Sequence, residues 1–304
     1  MASVRILLHG KACIDERLRK AVRNARKQGH CVEVRVMWEA ADTERLVSCA
    51  LDAASRGEID CIAAGGGDGT VSRVFAAVHA QGLPPECSLA VIPLGTGNDF
   101  ARAAAIPIDD IEAALEVALT GEARLIDLGR VDGRLFVNAV SGGFGSRVTV
   151  ETDPGLKQRL GALAYAITGI ARFLELSANR GRFRAEGFEW EGEFLALAIG
   201  NGRSAGGGIP LCADALLDDG LLDLTIVHAL DKTERHEAFS HLLHEGAAGL
   251  LSSLVSARSP WIEFESDEDL HVNLDGEPTV LKSFRVEVVP GALPVRLGKS
   301  AAVS

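Results

Sequence analysis

The sequence lacks the features that mark several common classes of protein. Its six cysteines form no Cys-x-x-Cys pair. We therefore expect reduced, mostly buried thiols of a cytoplasmic protein rather than a disulfide framework. An excess of basic charge is also missing, since the net charge is −11 and the pI about 5.3. This balance argues against a binder of duplex nucleic acid, which needs a basic surface to displace counterions.

Long apolar stretches are missing as well. The N-terminal run is too short for a signal peptide. The longest uncharged stretches, such as 160–171 and 246–257, are about a dozen residues long and too short for a membrane-spanning helix. A lipid substrate would therefore be approached from the aqueous side.

The first part of the chain, residues 1–123, alternates strand and helix patterns. Strands are predicted at 4–9, 32–38, 61–64 and 89–93, and helices at 15–28, 42–56, 71–80, 98–105 and 110–119. Such alternation predicts an α/β domain with a Rossmann-like parallel sheet and helices on both faces.

The second part, residues 124–304, shows strand patterns that follow one another directly. Asp132-Gly133 is a hairpin signal between strands at 125–131 and 135–140. Further strands are predicted as a pair at 183–190 and 194–199, and then at 222–227, 261–265, 271–274 and 284–289. This pattern predicts an antiparallel β-sandwich domain, with helical inserts at 156–176 and 232–255 and a frayed end at 299–304.

Two glycine-rich loops follow consecutive strands of the first domain. Residues 65–70 read Gly-Gly-Gly-Asp-Gly-Thr, and residues 93–100 read Pro-Leu-Gly-Thr-Gly-Asn-Asp-Phe. Glycines let backbone N–H groups approach an anion, and the helix that begins in each loop adds partial positive charge. Because the carboxyl ends of parallel strands share one edge of a sheet, both loops should face a single crevice.

The residues of these loops indicate which kinds of phosphate chemistry they can support. A carboxylate at Asp68 beside phosphate implies a bridging cation or a proton-transfer role. Alone, the first loop is explained equally well as a tight turn with an aspartate cap. Neither loop is a Walker A motif or a G-x-G-x-x-G motif, which argues against P-loop enzymes and dehydrogenases.

Motifs along almost the whole chain, about residues 4–297, resemble the diacylglycerol kinase catalytic-domain family, and most closely the bacterial YegS-type lipid kinases. Beyond the two loops, the resemblance rests on segments that occur in the family's order: Gly142-Gly143-Phe144-Gly145, Gly200-Asn201-Gly202-Arg203, Ala205-Gly206-Gly207-Gly208, Leu211-Cys212, Leu216–Leu222 and Asn273–Pro278. The Gly-Gly-Asp-Gly-Thr piece by itself is shared with NAD kinases.

The resemblance implies the fold and the reaction. It implies an α/β nucleotide-binding domain of the NAD kinase and diacylglycerol kinase type, followed by a β-sandwich domain, with the active site in the cleft between them. It also implies a Mg²⁺-dependent enzyme that transfers the γ-phosphate of ATP to a hydroxyl of a lipid such as diacylglycerol or phosphatidylglycerol.

Site residues are likewise implied by the resemblance. Glu277 would accept the proton of the lipid hydroxyl, with Asp275 and Asp68 organising a catalytic Mg²⁺. A structural Mg²⁺ would be held by the carbonyls of Leu216 and Leu221 and the carboxylate of Asp219. The implied nucleotide-binding residues are Gly66, Gly67, Asp68, Gly69, Thr70, Val71, Ser72, Arg73, Thr96 and Asn98.

Some residues depart from the family pattern. Ser72 and Arg73 stand where the family has Asn-Glu, and Arg73 reverses the charge there. Met37 stands where YegS-type chains have a threonine that contacts the nucleotide, and methionine cannot donate that hydrogen bond. The departures at Ser72 and Arg73 keep a non-catalytic nucleotide or lipid sensor open as an alternative. The shared first loop keeps open an NAD kinase-like enzyme with a soluble substrate. The second loop and the Asp275-Gly276-Glu277 turn favour the lipid kinase.

Other features have simpler explanations. The residues alone favour a hairpin turn at Asp275-Gly276 and a solvated acidic turn at 218–220. The amphipathic segment 156–176 suits a core helix better than a flap on the bilayer. Histidines at 236, 241 and 244 suit a solvated face better than a metal site, and the three tryptophans, Trp38, Trp190 and Trp261, are expected to pack. We expect peripheral contact with a membrane surface and leave open whether the chain is a homodimer.

Overall fold

The structure, a computed structural model, describes residues 1–143, 178–205, 207–208, 210–229 and 254–304. Its internal contacts define two compact units. The first comprises Met1–Ala139, Gly200–Leu221 and Val288–Ser304, and the second comprises Val140–Ile199 and Leu222–Glu287. The chain thus passes between the units four times, whereas the sequence pattern gave one boundary near residue 123.

Four parallel strands form the centre of the first unit. They are β1 Ser3–His9, β2 Cys31–Met37, β3 Cys61–Gly66 and β4 Ser88–Pro93. β1 pairs with both β2 and β3, and β3 pairs with β4, which gives the order β2-β1-β3-β4. All four predicted strands are therefore present, and their carboxyl ends lie at one edge of the sheet.

The predicted helices of this unit are also present. They are α1 Glu16–Lys27, α2 Asp42–Ser55, α3 Asp68–Gln81, α4 Asp99–Ala103 and α5 Ile111–Thr120. The Asp15 side chain caps α1 by accepting from the N–H groups of Arg17 and Leu18. α3 begins three residues before its predicted start, so the first glycine loop leads into it without a gap.

Apolar side chains cover both faces of the parallel sheet. On one face Val47 of α2 and Phe75 of α3 pack with Leu7 of β1. On the other face Leu18 of α1 and Leu115 of α5 join a cluster with residues of β1, β3 and β4. Because alternate strand residues point to opposite faces, each strand contributes to both clusters. Helices thus pack against both faces of this sheet.

The remaining strands of the first unit come from later in the chain. β5 Glu122–Val131 and β6 Arg134–Phe136 form the predicted hairpin, with Asp132 at φ 47° and Gly133 at φ 80°. The predicted fraying at 299–304 is wrong. Ala302 is buried, and its carbonyl accepts from the N–H of Leu217 at 2.8 Å. This tail is fixed by a partner distant in sequence, which local composition does not reveal.

Antiparallel strands form the second unit. They are β7 Ala139–Gly143, β8 Asn179–Ala185, β9 Phe188–Gly200, β10 Leu222–His228, β11 Leu254–Ser259, β12 Trp261–Leu274 and the first part of β13 Glu277–Leu297. β8 pairs with β9 and β12, β12 with β7 and β13, and β10 with β11. The later residues of β13 belong to the first unit.

Two predictions for the second unit need correction. The run 183–190 is not one strand, because the chain turns at Glu186-Gly187, where Ala185 pairs with Phe188. Gly187 has a φ of 67°, a conformation that glycine adopts readily. The predicted strands at 261–265 and 271–274 are one strand, β12, with an irregularity between Glu265 and Leu270.

Several other predictions concern single residues or undescribed segments. Trp38 is 72% exposed and does not pack as expected, while Cys31 and Cys49 are exposed and only Cys61, Cys87 and Cys212 are buried. The segment 156–176 and the histidines at 236, 241 and 244 lie outside the described residues. So does the segment 232–255, apart from Leu254 and Val255, which begin β11. Among the residues that the structure describes, no helix is long and apolar enough to span a bilayer.

Candidate active site

The first glycine loop joins β3 directly to α3. The carbonyl of Gly67 accepts from the N–H groups of Thr70 at 2.8 Å and Val71 at 3.1 Å. The N–H groups of Gly67, Asp68 and Gly69 therefore precede the first hydrogen bonds of the helix, where an anion is bound most readily. A Cβ atom on Gly66 would lie 2.5 Å from the Thr70 hydroxyl oxygen, so the fold requires glycine there.

The side chains of this loop differ in what they can reach. Thr70 is 5% exposed and packs on Gly66, while the side chain of Val71 is buried in the core. Ser72 is half-buried, and Arg73 is exposed on the surface of α3. Of the predicted nucleotide-binding residues 66–73, those at the turn offer backbone groups, whereas Val71 uses its N–H within the helix.

The second glycine loop, between β4 and α4, touches the first. The N–H of Leu94 donates to the carbonyl of Gly66 at 2.9 Å. A Cβ atom on Gly95 would lie only 2.3 Å from the Cα atom of Gly67, so the two backbones are in direct contact. The structure thus brings together the two loops that the sequence placed at one crevice.

The polar residues of the second loop hold its shape. Asn98 has a φ of 52°, and its side chain both accepts from the N–H of Gly95 at 2.9 Å and donates to the Gly95 carbonyl at 3.0 Å. The Asn98 amide is therefore engaged within its own loop. Thr96, by contrast, is exposed at the tip of the loop.

Asp68 links the two loops. Its Oδ1 atom accepts from the N–H of Phe100, in the first turn of α4, at 3.1 Å. Its Oδ2 atom lies 3.0 Å from the position that a Cβ atom on Gly97 would occupy. The residue is half-buried. One of its carboxylate oxygens thus positions the second loop.

A third glycine-rich segment also reaches the second loop, a contact that the sequence did not predict. Asp99 is 4% exposed, and its carboxylate accepts from the Ser204 hydroxyl at 3.1 Å. It also accepts from the N–H groups of Gly207 at 2.9 Å and Gly208 at 2.6 Å. Both glycines have positive φ, at 93° and 96°, which directs their N–H groups toward the carboxylate. The local sequence around Asp99 does not indicate this contact, because its partners lie more than a hundred residues away in the chain.

Arg102 is a further residue missed from the sequence. It is exposed on α4, and its Nε atom donates to the carbonyl of Gly97 at 3.4 Å. It places a positive charge beside the second loop, where phosphate binding is predicted.

The predicted metal turn at 216–221 is anchored by a buried carboxylate, Asp127. Asp127 is 2% exposed, and its two oxygens accept from the N–H groups of Gly220 and Gly291, each at 2.7 Å. Burial raises the pKa of Asp127, and the charges of Asp219 and Asp218 raise it further, while the two backbone donors lower it. The raised pKa of Asp127 therefore mainly reflects its removal from water.

The turn itself is half-buried rather than solvated. Leu216, Asp219 and Leu221 are all partly buried, and the Asp219 carboxylate accepts from the N–H of Leu221 at 3.0 Å. Within the described residues, no group of three or more His, Cys, Asp or Glu side chains is placed to hold a metal. A cation here would need backbone carbonyls as well as carboxylate, which is the donor set predicted. Such hard oxygen donors suit Mg²⁺ or Ca²⁺.

The acidic turn of the second unit is the predicted hairpin. Asp275 and Gly276 have φ values of 45° and 95°, and Leu274 pairs with Glu277 across the turn. Asn273 fixes the turn by accepting from the N–H of Gly276 at 2.6 Å. Asp275 is buried and Glu277 exposed, so the turn presents one carboxylate to solvent.

Comparisons with known proteins agree with this description. The family described as "Diacylglycerol kinase catalytic domain" matches residues 4–131, and the "YegS C-terminal NAD kinase beta sandwich-like domain" matches residues 138–297. A protein of Pseudomonas aeruginosa (strain UCBPP-PA14) named "Probable lipid kinase YegS-like" is 49% identical over 97% of this chain and 94% of its own. One from Pseudomonas fluorescens (strain Pf0-1), with the same name, is 48% identical over 97% of this chain and 93% of its own.

A solved structure shares the fold. The crystal structure of a diacylglycerol kinase from Bacillus anthracis str. Sterne superposes with a TM-score of 0.73 at 23% identity, covering 98% of each chain. Together with the catalytic-domain match, these relatives indicate a two-domain kinase. The chain belongs to the YegS-like lipid kinase family.

Proposed function

We propose that this kinase transfers the γ-phosphate of ATP to a hydroxyl group of a lipid such as diacylglycerol or phosphatidylglycerol, and that it depends on Mg²⁺. The main support for nucleotide binding is the backbone contact between the two glycine loops at Gly67 and Gly95. The contact gathers the N-terminal ends of two helices at one edge of a parallel sheet. There, we propose, the sheet serves as a Rossmann-like nucleotide-binding platform.

The loops suit a triphosphate because they offer backbone donors without a P-loop lysine. The N–H groups around Gly67–Gly69 and the exposed Thr96 hydroxyl would bind phosphate oxygens, and Arg102 would add charge. Asp68, half-buried and hydrogen-bonded to the N–H of Phe100, would lie beside the phosphates. A carboxylate in that place needs a cation to offset its repulsion.

The donor set fits Mg²⁺ at the acidic turn as well. The Leu216 and Leu221 carbonyls and the Asp219 carboxylate are oxygen donors of the kind that Mg²⁺ prefers. Bound magnesium neutralises charge that develops during phosphoryl transfer. Asp127 would keep this turn in place through its bond to the N–H of Gly220.

In the transfer step, the lipid hydroxyl oxygen forms a bond to the γ-phosphorus, and the bond from that phosphorus to the leaving ADP oxygen breaks. The hydroxyl proton passes to a carboxylate, for which we propose Glu277, with Asp275 beside it in the same turn. The exposed Glu277 and the rigid hairpin suit a base that must receive a proton at a fixed position. The lipid would be taken from a membrane surface by peripheral contact.

A phosphate-transfer assay tests the proposal and its alternatives. Purified protein is incubated with γ-labelled ATP and Mg²⁺, with mixed micelles of diacylglycerol or of phosphatidylglycerol, or with NAD⁺. Label on lipid, abolished by EDTA and restored by Mg²⁺, is the expected result. Label on NAD⁺ alone would replace the lipid by a soluble acceptor, and label on no acceptor would leave a nucleotide or lipid sensor.

A further inference from the structure

Trp38 is the exposed aromatic residue at the edge of the sheet where the glycine loops lie. It follows β2 directly and is 72% exposed. In the part of the chain that the structure describes, no other aromatic ring packs against it. A large aromatic surface left in water beside a ligand site is a common feature of binding residues.

The position of Trp38 is fixed by its neighbours. Its backbone N–H donates to the Asp42 carboxylate at 2.8 Å, which ties it to the start of α2. The indole sits on the backbone at Gly10, because a Cβ atom there would lie 3.1 Å from its Cε3 atom. The contact with Gly10 restricts where the ring can lie, and a restricted ring loses less conformational entropy when a ligand binds.

Strand register relates Trp38 to the first glycine loop. His9 of β1 pairs with Met37, and Leu8 pairs with Gly65. The register therefore aligns Met37 of β2, His9 of β1 and Gly66 of β3. Trp38 and Gly67 each come one residue later, after the two strands that flank β1. Two strand spacings separate them, roughly 9–10 Å. In the spatial order β2-β1-β3-β4, β2 lies on one side of β1 and β3 on the other, so the direction in which strands are added reverses there. Ligands bind at such a switch point in open α/β sheets.

We propose that Trp38 is the stacking platform for the nucleobase of the bound nucleotide, with Gly10 beneath its ring. The inference rests on the proposed function, since phosphates at Gly67–Gly69 leave the base to extend across the end of β1 toward Trp38. Stacking requires an aromatic face and no hydrogen-bond donor. Trp38 can therefore bind the base even though the neighbouring Met37 cannot donate a hydrogen bond to the nucleotide.

The charge around Trp38 favours a base over a bilayer. Glu39, Asp42 and Glu44 follow it closely, and Arg45 pairs with Asp42. Anionic lipid surfaces attract basic segments, not acidic ones. Contact of Trp38 with a membrane is the alternative that the experiment must distinguish from stacking on a nucleobase.

Nucleotide binding by variants tests the inference. Trp38→Ala should weaken ADP binding on the order of tenfold, by calorimetry in Mg²⁺, since a base stacked on an aromatic ring contributes that much. Binding of tripolyphosphate, which has no base, should be unchanged. Trp38→Phe should keep most of the affinity, and it should lack the fluorescence quenching that we expect ADP to cause in the wild type. Ile14→Ala, which removes another exposed apolar side chain, is the matched control and should bind ADP normally.

The outcomes separate this inference from the proposed function. If the wild type binds ADP and Trp38→Ala binds it equally well, the stacking role is wrong while the kinase proposal stands. Reduced binding of Trp38→Ala to phosphatidylglycerol vesicles with ADP affinity unchanged would assign Trp38 to the membrane instead. If the wild type binds neither ADP nor tripolyphosphate, the proposed nucleotide site fails together with the inference.

Discussion

Adding one methyl group at Gly95 tests the geometry on which the candidate site depends. In Gly95→Ala the new Cβ atom would lie 2.3 Å from the Cα atom of Gly67 and 2.9 Å from Oδ1 of Asn98. Ordinary contacts begin at 3.4 Å, so one loop would have to move by about 1 Å. Because the nearest obstacle is backbone, no rotamer change relieves it.

We expect Gly95→Ala to cost roughly 3 kcal/mol of unfolding free energy, the upper part of the usual range for overpacking. Moving the second loop away from the first should also weaken ADP binding at least tenfold, since a displacement of this size misplaces phosphate donors. Urea unfolding and calorimetric titration with ADP measure the two effects.

Two substitutions in the same loop serve as controls. Thr96→Ala removes an exposed side chain and should leave stability within about 0.5 kcal/mol of the wild type. Gly97→Ala places its Cβ atom 3.0 Å from Asp68 Oδ2 and 3.3 Å from Asp99 Oδ2, which are side-chain atoms. It should therefore lower the free energy of unfolding by less than Gly95→Ala and by more than Thr96→Ala. Wild-type stability and ADP affinity in Gly95→Ala would refute the close approach of the loops.

Three further predictions concern other positions. Asp68→Asn keeps an oxygen for the Phe100 N–H but removes the charge, so the fold should stay stable while kcat falls by at least a hundredfold; wild-type kcat would exclude a metal or proton role. Asp127→Ala should lower the unfolding free energy by roughly 2–4 kcal/mol, because it leaves two buried N–H groups unpaired, and urea unfolding within 0.5 kcal/mol of the wild type would contradict this. Iodoacetamide at pH 8 should label the exposed Cys31 much faster than Cys61, whose pKa burial raises to about 12, as read by peptide mass spectrometry; equal rates would contradict the buried position.

The raised thiol pKa also sets a pH dependence of stability. A free thiol in the unfolded chain ionises near 9.0, whereas Cys61 in the folded protein holds its proton until about 12 and Cys87 until about 11. The unfolded state therefore binds fewer protons above pH 9, and stability should fall as pH rises from there toward these values. Cys61→Ala should show a shallower fall in urea midpoint between pH 9 and pH 11 than the wild type.

Local sequence features were sufficient to predict much of the first unit. The alternation of apolar runs and capped helices located β1 to β4 and α1 to α5, since periodicity and capping residues act within a few positions. The same locality predicted the hairpins at Asp132-Gly133 and Asp275-Gly276, where residues that accept positive φ are required.

Predictions failed where a residue's surroundings come from distant parts of the chain. The C-terminal tail was expected to fray, but the N–H of Leu217 donates to the Ala302 carbonyl and the Asp218 carboxylate accepts from the N–H of Ser304. Trp38 was expected to pack, but its side chain follows the end of β2 and remains 72% exposed. No short-range pattern contains this information, because it depends on which segments meet after folding.

The sequence by itself determined the local chemistry of the candidate site: two glycine loops, the carboxylate of Asp68 and an acidic hairpin. Only the tertiary structure decided that Gly67 and Gly95 touch, that Asp99 is enclosed by Ser204, Gly207 and Gly208, and that Asp127 anchors the turn at Gly220. The physical reason is the distance along the chain over which each kind of interaction acts. Turn and helix preferences are fixed by neighbouring residues. The buried carboxylates of Asp99 and Asp127, by contrast, are tolerated because donors 93 to 164 residues away in the chain converge on them.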